Sequence, residues 1–170
     1  MNYVESLGYL DSLGKFGIKL GMERIEGLLK ELDNPEQKIK TVHVTGTNGK
    51  GSVTSMITNI LLAANLKVGK FTSPHLVKYN ERITLNGKDI SDDDFAMVIS
   101  AVKVAADSIV KKGVCEQPTQ FEILTAAAFL YFYLNKVDYA VIEVGMGGLW
   151  DSTNVITPVV SVITNVALDH

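Results

Sequence analysis

Apolar residues recur at helical spacing over residues 3–13 and again over 21–32, where Met22, Ile25, Leu28, Leu29 and Leu32 share one face. Asn34-Pro35 stops that second helix. The period then changes. Lys40-Thr41-Val42-His43-Val44-Thr45 is a β-branched run that predicts a buried strand, and it opens into the glycine-rich residues 46–52. Helical spacing resumes over residues 53–64, so the order is strand, glycine-rich turn, helix. Residues 66–71 predict a second strand. Residues 82–85 and 88–90 predict a hairpin, because Asn86-Gly87 suits the positive φ angles of a tight turn. Ser91 caps a helix whose first turn, Asp92-Asp93-Asp94, is acidic where the helix dipole favours it. That helix closes near Lys112 with Gly113 behind it. Thr119-Gln120-Phe121-Glu122 has capping-box spacing at the head of an aromatic-rich helix ending near Asn135. Residues 138–144 and 159–164 are the last two strands, apolar on both faces. Strands of that kind, alternating with helices, predict an α/β fold: a mostly parallel sheet with helices on both faces.

No repeat, low-complexity tract or linker divides the 170 residues, a length suited to one domain. The chain stops at Asp169-His170, directly after a strand, and the expectation is a truncated piece of a longer domain. Composition narrows the function. Sixteen basic residues against 19 acidic ones give a net charge of -3, which supplies no field for nucleic acid or an anionic membrane. The longest apolar run, residues 126–134, is about half of the ~20 residues that span a bilayer. Cys115 is the single cysteine, so neither an internal disulfide nor a cysteine-based zinc site is available, and a cytoplasmic setting is expected.

The sharpest chemistry lies in residues 45–52. Glycines let successive N–H groups turn inward on phosphate oxygens, and the following helix adds its positive end. Lys50 supplies a mobile cation, and Ser52 a hydroxyl for Mg²⁺ or phosphate. The loop departs from the usual P-loop, since Val44 stands where the first glycine belongs and Gly51 separates Lys50 from Ser52. A second glycine cluster, Gly145-Met146-Gly147-Gly148, follows a strand that ends on Glu143, a carboxylate suited to Mg²⁺. As a dinucleotide fingerprint it fails, because Trp150 occupies the third glycine position. Asn135-Lys136-Val137-Asp138 matches the base-reading tetrad of GTPases in letters but ends a helix instead of following a strand. His43 alternates within a strand and reads as structural, and His75 lies in a polar loop. His170 falls on the same rim as Glu143 in a parallel sheet, with a metal or phosphate role as one reading.

Six segments in this order resemble the folylpolyglutamate synthases of the Mur ligase superfamily: Thr45-Gly46-Thr47-Asn48-Gly49-Lys50-Gly51-Ser52, Thr72-Ser73-Pro74-His75-Leu76, Asn80-Glu81-Arg82-Ile83, Glu143-Val144-Gly145-Met146-Gly147-Gly148, Asp151-Ser152-Thr153-Asn154 and Ala167-Leu168-Asp169-His170. The resemblance implies that residues 1–170 form the first part of an ATP-binding domain, with the C-terminal domain outside this chain. It implies ATP phosphates on Thr47, Asn48, Gly49, Lys50, Gly51 and Ser52, with Lys50 catalytic. It implies Mg²⁺ on Ser73, Glu143 and His170, and the pterin of a folate on Phe121 and Glu122, with residues 18–21 assisting. The implied substrates are folate or dihydropteroate and L-glutamate, joined by a monomer through an acyl phosphate. Another Mur-type amide ligase and a non-catalytic Mg-ATP-binding fragment are the alternatives. Where the family reads Gly-Gly-Arg and then an apolar residue, Leu149-Trp150 follow Gly148, which removes the charge from that place.

Overall fold

The computed structural model describes residues 1–14, 17 and 21–168. Helices α1 (Tyr3–Leu13) and α2 (Glu23–Glu31) precede strand β1 (Thr41–Thr45), helix α3 (Lys50–Ala63) and strand β2 (Val68–Phe71). The hairpin of β3 (Ile83–Leu85) and β4 (Lys88–Asp89) leads to α4 (Asp92–Lys111) and α5 (Gln120–Leu134). Strands β5 (Tyr139–Glu143) and β6 (Val160–Ile163) complete one six-stranded sheet of order β4-β3-β2-β5-β1-β6. Neighbours among β2, β5, β1 and β6 are parallel, and the β3–β4 hairpin adds an antiparallel edge.

Helices cover both faces, as the strand composition predicts. On one face Val53, Ile57 and Leu61 of α3 pack on Val42, Val44, Val68 and Val141. On the other, α1, α2, α4 and α5 enclose a larger core around Phe71, Phe95, Phe129 and Phe132. Local chemistry explains the boundaries. The Ser91 hydroxyl accepts the Asp94 amide, and Asn86 and Gly87 take φ of 50° and 76° in the hairpin turn. Asn135 caps the end of α5, so the GTPase-like letters following it belong to a helix stop.

Two expectations need correction. Helix α3 begins at Lys50, three residues before the hydrophobic period does, because Gly49 in the left-handed region (φ 80°) turns the chain directly into the first helical turn. Strand β6, apolar on both faces, pairs with β1 among the described residues, and in this 170-residue stretch Val160 and Ile163 are 51% and 65% exposed, not buried.

Gly69 in β2 is required by a close approach. A Cβ there would lie 2.5 Å from the ring of the fully buried Phe132. Gly69→Ala is therefore expected to destabilise the fold by about 1–3 kcal/mol. An unchanged urea midpoint would show that the ring has room to retreat.

Candidate functional site

The carboxyl ends of β1, β2, β5 and β6 open onto a cleft of about 1140 Å³. This is where a parallel sheet leaves loops free to diverge and admit a ligand. Thr47 and Lys50 line it from the loop after β1, Ser73 from the loop after β2, and residues 145–148 from the loop after β5. Phe121, at the head of α5, forms an apolar wall.

The loop after β1 reaches α3 through Gly46 and Gly49, both at positive φ. The amides at the start of α3 have no partner within the helix and face outward along its positive end. The Lys50 ammonium folds back onto the loop, donating to the carbonyls of Gly46 (2.8 Å) and Thr47 (3.2 Å). Beside this turn lies Glu143, the last residue of β5 and 4% exposed. Its Oε2 accepts the Ser73 amide at 3.1 Å, and a Cβ on Gly51 would stand 3.6 Å from its Oε1. Burial pushes the Glu143 carboxyl up, and the Ser73 amide, Lys50 and Lys70 pull it part of the way back. The sheet order thus brings Ser73 and Glu143 together against the N-terminal turn of α3. His170 lies outside the described residues, as do Ile18, Lys19 and Leu20 of the stretch 18–21. Among the described residues there is no group of three or more His, Cys, Asp or Glu placed to hold a metal.

Phe121 and Glu122 part company. Phe121 lines the cleft, whereas Glu122 turns into the core, 2% exposed. Its carboxylate accepts the Thr119 amide (2.6 Å) and the Arg24 Nε–H (3.1 and 3.2 Å to its two oxygens). The capping box uses this carboxylate to close the helix end, which directs it away from a ligand.

His43 acts within the scaffold. The Thr153 hydroxyl gives its single proton to Asp151 Oδ1 (2.5 Å), so at 2.8 Å from His43 Nε2 it accepts the ring N–H. Burial holds the His43 ring below its ordinary pKa, with Asp151 opposing. Asp151 Oδ2 in turn accepts the Met146 amide at 2.8 Å, which fixes the glycine loop. A Cβ on Gly145 would come within 2.5 Å of the Phe121 ring, so a larger residue there would displace the apolar wall of the cleft.

Three cleft residues escape a reading by motif spacing. Arg82 donates from Nε to His75 Nδ1 (2.8 Å) and lies 5.7 Å from the Tyr79 ring centre, which holds its guanidinium in the wall. Burial and Arg82 hold His75 below its usual pKa. Asp151 braces the floor, and Asn165 bonds the glycine-rich loop after β1. The segment Asn80-Glu81-Arg82-Ile83 carried the signal for Arg82, but nothing in it says which side chain faces the cleft. Leu149 and Trp150 also line the cleft, 70% and 56% exposed.

The model of the Mur ligase middle domain matches residues 44–170. The chain is 43% identical over 169 residues to the dihydrofolate synthase/folylpolyglutamate synthase of Bacillus subtilis, covering 99% of this chain and 39% of the relative. It is 45% identical over 170 residues to the folylpolyglutamate synthase of Lacticaseibacillus casei, covering 100% and 40%. A solved complex of FPGS with AMPPCP and folate superposes with a TM-score of 0.92 at 45% identity, over 100% of this chain and 42% of that one. The chain therefore spans about two fifths of the length of the relatives it matches.

Proposed function

The chain belongs to the Mur ligase family, and from that premise we propose that residues 1–170 supply the first part of the ATP-binding domain of a folylpolyglutamate synthase. This enzyme joins L-glutamate to the γ-carboxylate of a folate at the expense of ATP, with dihydropteroate as a further acceptor. It works as a monomer in the cytoplasm. No helix among the described residues is long and apolar enough to cross a membrane.

One observation carries the reading: Lys50, Ser73 and Glu143 come from three distant segments and meet at the N-terminal turn of α3. The relatives add support, since FPGS has been solved with AMPPCP and folate.

A carboxylate repels an amine and has no good leaving group. Transfer of the γ-phosphoryl to a carboxylate oxygen breaks the bond to ADP and forms an acyl phosphate. The glutamate amine then attacks the acyl carbon, phosphate departs, and the amine proton passes to solvent. In this scheme the amides of Gly49 and of Lys50, Gly51 and Ser52 at the start of α3 cradle the phosphates, and Lys50 leaves its loop carbonyls to neutralise the transferring group. Phe121 gives the acceptor's ring an apolar face, and the pinned Arg82 guanidinium meets negative charge. The Ser73 and Glu143 oxygens are the donor type that Mg²⁺ takes, and the desolvated Glu143 carboxylate is well placed for a cation, with His170 as the further ligand. Bound there, Mg²⁺ would screen the phosphates and act as a Lewis acid on the phosphoryl group.

The test is glutamate incorporation by the full-length protein, with ATP and folate or dihydropteroate. One ADP released per amide formed is expected. Turnover on a UDP-sugar peptide and none on a pteroate would move the assignment to another Mur-type ligase.

A further inference from the structure

The loop after β1 is hydrogen-bonded along its length by a distant segment. Residues 164–167, which follow β6, lie along it like a splint. The Thr47 amide donates to the Asn165 main-chain carbonyl at 3.0 Å, and the Asn48 amide to Asn165 Oδ1 at 2.9 Å. The Thr164 hydroxyl donates to the Asn48 carbonyl at 2.7 Å. The Thr47 hydroxyl accepts the Ala167 amide at 3.0 Å and lies 3.2 Å from its carbonyl. The fit is close: a Cβ on Gly46 would sit 2.0 Å from Thr164 Oγ1 and 2.9 Å from the Asn165 carbonyl oxygen.

Two consequences follow for the phosphate site. The Thr47 and Asn48 amides are already used, which leaves phosphate binding to the first turn of α3 and Lys50. The carbonyls that hold Lys50 are those of Gly46 and Thr47, residues clamped by the same splint. We infer that Asn165 is a positioning residue for nucleotide binding. By supplying acceptors to two consecutive loop amides it sets the path of residues 46–49, and through them the entry to α3 and the seat of Lys50. This rests on reading the cleft as a nucleotide site.

The main-chain carbonyl serves Thr47 and the side chain serves Asn48 with a single oxygen, so the variants test the side chain's share alone. Asn165→Ala removes the acceptor, Asn165→Asp keeps it, and Thr164→Val removes the neighbouring donor. In the full-length protein, Asn165→Ala is expected to weaken Mg-AMPPCP binding by about tenfold, the scale of one hydrogen bond. It is also expected to release the Asn48 amide to rapid hydrogen exchange while the melting temperature holds. Asn165→Asp restores the protection at Asn48, which general loss of packing would not allow. Adding Thr164→Val to Asn165→Ala costs less than its effect alone, since both act through Asn48. Unchanged AMPPCP affinity in Asn165→Ala overturns the proposal, as does a fast-exchanging Asn48 amide in the unmodified protein. Wild-type protein that binds no AMPPCP yet protects Asn48 in this way would sink the nucleotide reading and leave the splint standing.

Discussion

Replacing Lys50 with alanine is expected to cut the proposed ATP-dependent glutamate ligation by the full-length protein by about a hundred- to a thousandfold, the effect of removing one preorganised charge from a phosphoryl- or acyl-transfer site. The fold should survive the change. The ammonium is bonded to two carbonyls of its own loop, and it acts on the buried Glu143 carboxylate only through space, with no hydrogen-bonded ion pair among the described residues. Lys50→Arg should not restore full activity, because a wide planar fork does not replace a compact cation reaching from a tight turn. The check pairs steady-state kinetics with a melting curve. Turnover within tenfold of wild type, in a folded protein, would remove Lys50 from the chemistry.

The second large effect is on stability. Arg24 and Glu122 are 8% and 2% exposed, and the guanidinium Nε–H meets both carboxylate oxygens. Arg24→Leu leaves that carboxylate buried with, among the described residues, the Thr119 amide as its remaining hydrogen-bond donor. A buried charge stripped of its partner costs about 3–5 kcal/mol. At this chain length the loss corresponds to a fall in melting temperature on the order of 10 °C. Adding Glu122→Gln should recover part of it, since the charge, not the shape, is what the core cannot hold. A loss below about 1 kcal/mol, read from urea unfolding, would mean that water reaches the carboxylate. The pair also bears on the cleft: Glu122 closes the head of α5, and Phe121 projects from the same turn.

That neighbouring pair marks where reading the chain reached its limit. The capping box at Thr119 was legible because it depends on residues three apart. The resemblance assigned Phe121 and Glu122 together to the pterin, yet successive residues on a helix point about 100° apart. One faces the cleft and the other the core. Which is which depends on where α5 lies on the sheet. Arg24, nearly a hundred residues away, supplies the cation that makes a buried glutamate tolerable. β6 gives the same lesson: its composition does not say which strand it joins, and the sheet order pairs it with β1.

The local features needed only short-range physics. Strand β1, the glycine turn, the Asn86-Gly87 hairpin and the helix caps all follow from φ preferences, side-chain period and capping within a few residues, so the order of letters was enough to predict them. The convergence of Ser73 with Glu143 and the hold of Asn165 on the glycine-rich loop after β1 are of another kind. Each joins segments 70 to 117 residues apart, and each exists because β1 lies between β5 and β6 with β2 beyond β5. Hydrogen-bonding chemistry says that a loop amide needs an acceptor; only the packed sheet determines which distant residue provides it.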